Sequence, residues 1–229
     1  HMLDTNIKLS IVIPCYNEEN YIKNLISDLL ENINPYELII VDDKSNDKSV
    51  EIIESFNDKK IKLLKNDTNK GKGYSLRKGF KAATGDIICI QDADPEYSPK
   101  DIEMLIEPFN NIDTCMVIGT RFQTKSRRKI GYFYHSVFNK LITYLVNFKS
   151  NTNFTDVECG YKAFRASFIQ EIELKENRFG IEIELIRKLS KLKKDMYEVP
   201  VTYEMRRYDE GKKIGTLDAV AALYCLLKY

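Results

Sequence analysis

The segment Gln91-Asp-Ala-Asp-Pro-Glu96 brings three carboxylates together directly after the apolar run from Asp86 to Gln91. Residues two apart at a strand end point to the same side, so Asp92 and Asp94 converge. Two hard carboxylates, with Glu96 beside them, suit Mg²⁺ or Mn²⁺ shared with a substrate diphosphate. Such a metal would neutralise the charge that builds on a departing nucleoside diphosphate. A solvated acidic loop capping the next helix is the alternative. The buried strand that precedes the triplet in register favours a site.

Other groups fall into similar places. Asp42-Asp43-Lys-Ser-Asn-Asp47 follows a second apolar run. Asp47 or Ser45 suits a helix N-cap, while the earlier acids suit a nucleobase N–H or a ribose hydroxyl. Gly71-Lys-Gly73 opens a helix, where glycine lets backbone approach a phosphate. The spacing is not that of a P-loop, and no Gly-x-Gly-x-x-Gly fingerprint occurs. Arg121 to Lys129 holds five basic residues and no acid. It reads either as a solvated loop or, because an aromatic-rich amphipathic helix follows, as a membrane-surface element that meets phosphate. His135 lies on that helix, and no set of nucleophile and base for hydrolysis can be assembled.

The elements that must position these groups alternate. Strand signals fall at Leu9–Ile13, Glu37–Val41, Ile61–Leu64, Asp86–Gln91 and Cys115–Ile118. Helical spacing falls at Glu18–Glu31, Asp47–Phe56, Tyr74–Ala83 and from an N-cap at Ser98 to Phe109. Strands apolar on both faces and alternating with helices predict an α/β fold with a mostly parallel central sheet. Ligands in such sheets sit at the carboxyl ends of the strands, and polar groups recur at that edge. From Ile130, apolar residues at Phe133, Tyr134, Val137, Phe138, Leu141, Ile142, Leu145 and Val146 predict one face of a long helix. A further helix is expected over Ile181–Leu192, and an edge strand over Glu198–Thr202 with Pro200 in it.

Composition narrows the class. With 43% hydrophobic and 30% charged residues, the 229-residue chain reads as globular. A net charge of +1 excludes a global basic field for nucleic acid. Five scattered cysteines argue against a disulfide framework or zinc site and for a reducing compartment. His1-Met2 reads as a cloning scar, with no signal peptide after it. No apolar run approaches the roughly 20 residues of a membrane span. Leu217–Tyr229 is apolar but short, and is expected to form C-terminal amphipathic helices that dock on the core or lie on a membrane.

Taken in order, the motifs resemble glycosyltransferase family 2, and within it the branch of dolichol- and polyprenyl-phosphate mannose and glucose synthases. The carrying residues are Ile13-Pro-Cys-Tyr-Asn-Glu18, Val41-Asp-Asp-Lys-Ser-Asn-Asp47, Asn69-Lys-Gly-Lys-Gly73, Thr84-Gly-Asp86, Gln91-Asp-Ala-Asp94 and Gly119-Thr-Arg121. Thr155-Asp-Val-Glu-Cys-Gly-Tyr-Lys162, Glu176-Asn-Arg-Phe-Gly180 and Glu210-Gly-Lys-Lys213 follow. The likeness runs from Leu9 to Tyr229. It implies a GT-A (Rossmann-like) fold and inversion at the anomeric carbon. Pro14, Tyr16, Glu18 and Asp43 would cradle the nucleoside, with Lys72 and Asp92 also on the nucleotide sugar. Asp94 and Glu96 would hold the metal, although the related synthases usually carry Gln at the latter position. Arg121 and one of Arg127 or Arg128 would meet an acceptor phosphate, and Arg206 and Lys212 would close over the diphosphate.

The expected reaction is an in-line attack on the anomeric carbon of UDP-glucose first, GDP-mannose second. A phosphate monoester acceptor is already ionised near neutrality, its second pKa being about 6, and needs no base. An alcohol such as diacylglycerol needs one, for which Asp156 and Glu158 are the candidates. A structural role, such as a salt bridge to Arg178, is the alternative for both. The expectation is one domain over 1–229, its nucleotide-sugar half about 7–121 and its acceptor half about 122–229. It would be cytoplasmic and peripheral on the inner face of a membrane. The alternatives are a saccharide acceptor, a nucleotidyltransferase and a non-catalytic nucleotide-binding module.

Overall fold

The computed structural model describes residues 7–122, 133–178, 180–204, 225, 228 and 229, with the side chains of 133–135 left aside. Strands β1 (Leu9–Cys15), β2 (Glu37–Asp42), β3 (Ile61–Lys65), β4 (Ile87–Ile90), β5 (Thr114–Thr120), β6 (Lys162–Arg165) and β7 (Asp195–Pro200) form one sheet. Their order is β3-β2-β1-β4-β6-β5-β7. Helices α1 (Ile22–Asp28), α2 (Ser49–Glu54), α3 (Lys72–Ala82), α4 (Ile102–Ile106), α5 (Phe133–Ser150), α6 (Ala166–Ile169) and α7 (Ile181–Leu189) connect them.

The parallel block is what the apolar runs predict. β1 pairs in parallel with β2 and β4, and β2 with β3. Ile11, Ile39 and Ile88 are fully buried, each worth about 1.5–3 kcal/mol relative to exposure. Gly79 lets α3 come down on β1, since a Cβ there would lie 2.3 Å from Val12 Cγ1. The register sets Cys15 beside Asp42, so the loops after β1 and β2 emerge at one edge.

The other side is mixed. β6 was not expected. It is a short antiparallel strand inserted between β4 and β5, and Lys162-Ala-Phe-Arg165 carries only two apolar residues to signal it. β7 pairs in parallel with β5 and lies at the sheet edge, two to three residues earlier than expected. The outer strands carry Lys62 and Lys65 on β3 and Pro200 on β7. Ser98 makes no side-chain cap bond; Pro99 instead opens a single tight turn before α4. The expected C-terminal amphipathic helices lie outside the described residues, apart from Cys225, Lys228 and Tyr229.

α5 departs from a one-faced helix. Ile142 and Val146 are buried, with Phe138 and Leu145 packed on the core. Val137, Leu141, Tyr144 and Phe148, spaced four, three and four apart, are exposed by 46%, 49%, 67% and 79%. The helix is therefore apolar toward the core and apolar outward as well. Among the described residues no helix is long and apolar enough to cross a membrane. All five cysteines are unpaired and buried.

Candidate active site

The loops after β1 and β2 interlock. Asn17 (φ 54°) and Lys44 (φ 66°) both turn through the left-handed region, which side-chain-bearing residues adopt at a cost and which clusters at functional sites. The Asn17 N–H donates to Ser45 Oγ at 3.0 Å and the Asn46 N–H to Asn17 Oδ1 at 2.8 Å. Asp47 accepts from the N–H groups of Glu19 and Ser49, both at 3.0 Å; the N-cap of α2 is Lys48, which makes no side-chain cap bond, so Asp47 holds the turn just before the helix in place of the cap expected of it. The Glu18 N–H donates to Ser49 Oγ at 2.9 Å, and Glu18 is buried. Pro14 is the sixth residue of β1, and Tyr16 follows that strand, so both stand at this edge.

Asp43 is buried here and held mainly by backbone. It accepts from the Lys70 N–H at 2.8 Å, the Gly71 N–H at 2.7 Å and Asn66 Nδ2 at 2.8 Å. Among the described residues these donors fill three of the about four lone-pair positions of a carboxylate.

Asp92 meets Lys72. The Lys72 Nζ lies 2.8 Å from Asp92 Oδ1 and 3.3 Å from Glu182 Oε1. Burial acts against the Lys72 charge, but Asp92 and then Glu182 hold its pKa well above the ordinary lysine range. The glycines beside Lys72 serve a different purpose from the expected one. A Cβ on Gly73 would lie 2.5 Å from the Glu176 carbonyl oxygen, and one on Gly71 (φ 95°) 2.5 Å from that of Asn177. The Tyr74 N–H donates to Asn177 O at 3.1 Å. The Gly71-Lys-Gly73 turn thus lies against the chain's own 176–178 segment, closer than a side chain would allow. Lys72 reaches Asp92 from this turn.

Asp94 and Glu96 line a cavity of about 420 Å³ together with Tyr21, Asn24, Asp28 and Thr202. Asp94 Oδ1 accepts from the Glu96 N–H at 3.1 Å, and Glu96 Oε2 from the Tyr203 hydroxyl at 3.1 Å. Among the described residues no group of three or more His, Cys, Asp or Glu side chains forms a metal site. Two hard carboxylates on a cavity wall fit the usual binding of Mg²⁺, which takes one or two carboxylates and completes its shell with substrate phosphates and water. The pair therefore fits a divalent ion carried with a diphosphate.

Arg121 and Asp156 form the second cluster. Arg121 Nε and Nη2 donate to Asp156 Oδ2 and Oδ1, both at 2.7 Å, and the Arg121 N–H adds a bond of 3.0 Å. Asn139, on the inner face of α5, donates from Nδ2 at 3.1 Å. Glu198 on β7 accepts from the Thr155 and Asp156 N–H groups at 2.8 and 3.1 Å. Asp156 is fully buried. Burial acts to raise its pKa, but the charge and hydrogen bonds of Arg121, with Asn139, hold it below the ordinary carboxylate range. Its four lone-pair positions are filled, so the base expected at Asp156 is corrected to a buried counter-ion that aligns Arg121. Arg121 keeps Nη1 outside this fork, and its guanidinium stacks 5.1 Å over the Tyr203 ring. Tyr203 thereby links Glu96 to Arg121.

Glu158 differs. It is half-buried with no hydrogen-bond partner among the described residues. Burial, then repulsion from Glu182, raises its pKa, opposed by Lys162 and Arg121. Neither Asp156 nor Glu158 pairs with Arg178 among the described residues. Arg127, Arg128, Arg206 and Lys212 lie outside the described residues. The sequence reading missed Asn139, Tyr203 and Glu182. Only the polar Asn139 and Thr143, falling among the apolar residues of α5's inner face, signalled any of them.

The family model of Glycosyl transferase family 2 matches residues 10–173, and the chain belongs to that family. The chain is 29% identical to a dolichol-phosphate mannosyltransferase of Pyrococcus furiosus, over 97% of this chain and 64% of that protein. It is 26% identical to a dolichyl-phosphate beta-glucosyltransferase of Dictyostelium discoideum, over 86% of this chain and 67% of that one. The chain thus spans about two thirds of the length of either relative. Glucosyl-3-phosphoglycerate synthase of Mycobacterium tuberculosis, solved with Mn²⁺, UDP and phosphoglyceric acid, superposes with a TM-score of 0.73 at 18% identity. That match covers 97% of this chain and 78% of the other, and it shows a shared GT-A fold.

Proposed function

We propose that this chain transfers a hexose from a nucleotide sugar to a lipid phosphate at a membrane surface, with inversion at the anomeric carbon. UDP-glucose is the first donor to test and GDP-mannose the second. One observation carries the acceptor reading. α5 joins the Arg121–Asp156 cluster to an exposed apolar stripe: Asn139 bonds Asp156 from its inner face, while Leu141, Tyr144 and Phe148 face outward. The helix has two lysines and no acid, and an acid-free basic segment precedes it. Such a face suits an anionic, apolar surface. The related proteins that act on dolichyl phosphates support the same direction.

In this reading residues 7–121 bind the nucleotide sugar and 122–229 the acceptor within one domain. Pro14, Tyr16, Glu18 and Asp43 meet the nucleoside, Lys72 and Asp92 the sugar diphosphate, and Asp94 and Glu96 would hold Mg²⁺ or Mn²⁺. The ion, when bound, supplies charge neutralisation for the departing diphosphate. Arg121, aligned by Asp156, presents Nη1 to an acceptor phosphate, helped by Arg127 or Arg128. Arg206 and Lys212 complete the enclosure of the diphosphate. The phosphate acceptor attacks already ionised. The protein is peripheral on the inner face of the membrane. A second reading, with an alcohol acceptor such as diacylglycerol, is favoured only by Glu158, whose raised pKa and lack of a partner among the described residues suit a base.

The test is donor turnover with a panel of nucleotide sugars and Mg²⁺ or Mn²⁺, with and without vesicles containing polyprenyl phosphate or diacylglycerol. Release of UDP or GDP that rises with polyprenyl phosphate is the expected result. A rise with diacylglycerol alone moves the role of Glu158 to the front. Turnover indifferent to both lipids sinks the lipid reading.

A further inference from the structure

Four alternating charges run from the donor edge into the core. Asp92 meets Lys72, Lys72 meets Glu182, and Glu182 Oε2 pairs with the Lys162 ammonium, which also donates to the Cys159 carbonyl. Lys162 is fully buried and Glu182 nearly so. The outer pair comes from α3 and the loop after β4, the inner pair from β6 and α7. Two distant stretches of the chain, 72–92 and 162–182, meet through these side chains.

Stability alone is a poor account of this chain of charges. Each buried ion loses several kcal/mol of hydration, and well-packed apolar replacements often do as well. Its geometry concerns Lys72. A lysine has a flexible four-carbon stem and a point charge, so a single carboxylate would leave its ammonium free to swing. Two carboxylates on opposite elements fix it, and Lys162 fixes the second of them. On its other side Asp92 is crowded by Gly160, where a Cβ would lie 2.5 Å from Asp92 Oδ2. The Asp92 carboxylate is thus held between a backbone wall and an anchored ammonium.

We propose that Glu182 and Lys162 are positioning residues for donor binding: Glu182, held by Lys162, anchors Lys72 and so sets the orientation of Asp92 toward the nucleotide. The inference rests on the reading of Asp92 and Lys72 as donor contacts, and it adds two residues that touch no ligand themselves.

A double-mutant cycle tests it, read as affinity for UDP and GDP by calorimetry with Mn²⁺ present. Glu182→Gln is expected to weaken binding about 10- to 100-fold, as loss of an orienting partner does. In a Lys72→Met background the same change is expected to matter by less than about twofold, because its route to the nucleotide is gone. Losses that multiply instead would overturn the proposal. Glu182→Gln also strands Lys162 in the core, so the paired variant Glu182→Gln/Lys162→Met serves as the fold control. It is expected to melt near the wild type yet keep the binding defect, and wild-type affinity in it would overturn the proposal. A wild-type chain that binds neither nucleotide would overturn the proposed function and this inference together. Intact wild-type binding with independent losses overturns the inference alone.

Discussion

The two sides of the sheet's carboxyl edge hold their acids by different means. On the β1–β2 side, Asp43 takes two backbone N–H groups and one amide, and Asp47 takes two backbone N–H groups. On the β4–β6–β5 side, Asp92, Asp156 and Glu182 are held by Lys72, Arg121 and Lys162. A backbone donor carries no net charge and stays put when the acid is changed. A charged partner in the interior is left exposed to the full cost of its own burial. The first side is a rigid cradle, while the second is a set of mutually dependent ions.

Changes that break one side should therefore differ from changes that break the other. Asp94→Ala belongs to neither set and is expected to have the largest effect on activity. Loss of a metal contact worth several kcal/mol lowers turnover on the order of 10³-fold, read with saturating donor and a Mn²⁺ titration; unchanged turnover would remove Asp94 from the metal site. Next comes the direct contrast. Asp156→Ala leaves Arg121 without its counter-ion and should cost about 3–5 kcal/mol in chemical denaturation. Asp43→Asn keeps one acceptor oxygen among neutral donors and should cost about 1–3 kcal/mol. Equal losses would erase the comparison.

Glu37, at the opposite edge, mixes both means and gives a pH signature. Burial acts to raise its pKa, but Lys62 at 2.5 Å, Ser10 and Thr84 overcome this and bring it to about 2. A depressed folded-state pKa adds stability above the unfolded value of 4.5 that is lost as pH falls through about 2. The stability difference between wild type and Glu37→Gln should shrink over that interval, and a flat difference would refute the assignment. The smallest effect on folding is expected from Leu141→Ser/Phe148→Ser on the outer face of α5, within about 0.5 kcal/mol of wild type. The same variant should lose sedimentation with anionic vesicles; unchanged sedimentation would free α5 of its proposed role.

Legibility in the sequence followed the same divide. Continuous apolar runs announced β1, β2, β4 and β5, and the acids after the first three, with Arg121 after the fourth, marked the edge of the candidate site. β6 escaped because two apolar residues between Lys162 and Arg165 do not resemble a buried strand. The partners of the ions escaped because charge pairing leaves no local pattern. Lys72 and Glu182 are separated by nearly half of the chain, as are Glu96 and Tyr203. The Gly71 and Gly73 pair was visible, but its reason was packing against residues 176–178, which no local spacing announces.

The outermost strands carry a separate consequence. Both ends of a sheet offer unsatisfied backbone groups on which a foreign strand can grow. Here β3 carries the exposed Lys62 and Lys65 and β7 ends on Pro200, and such residues discourage strand addition. Among the described strands, polymerisation by sheet extension is disfavoured at either border.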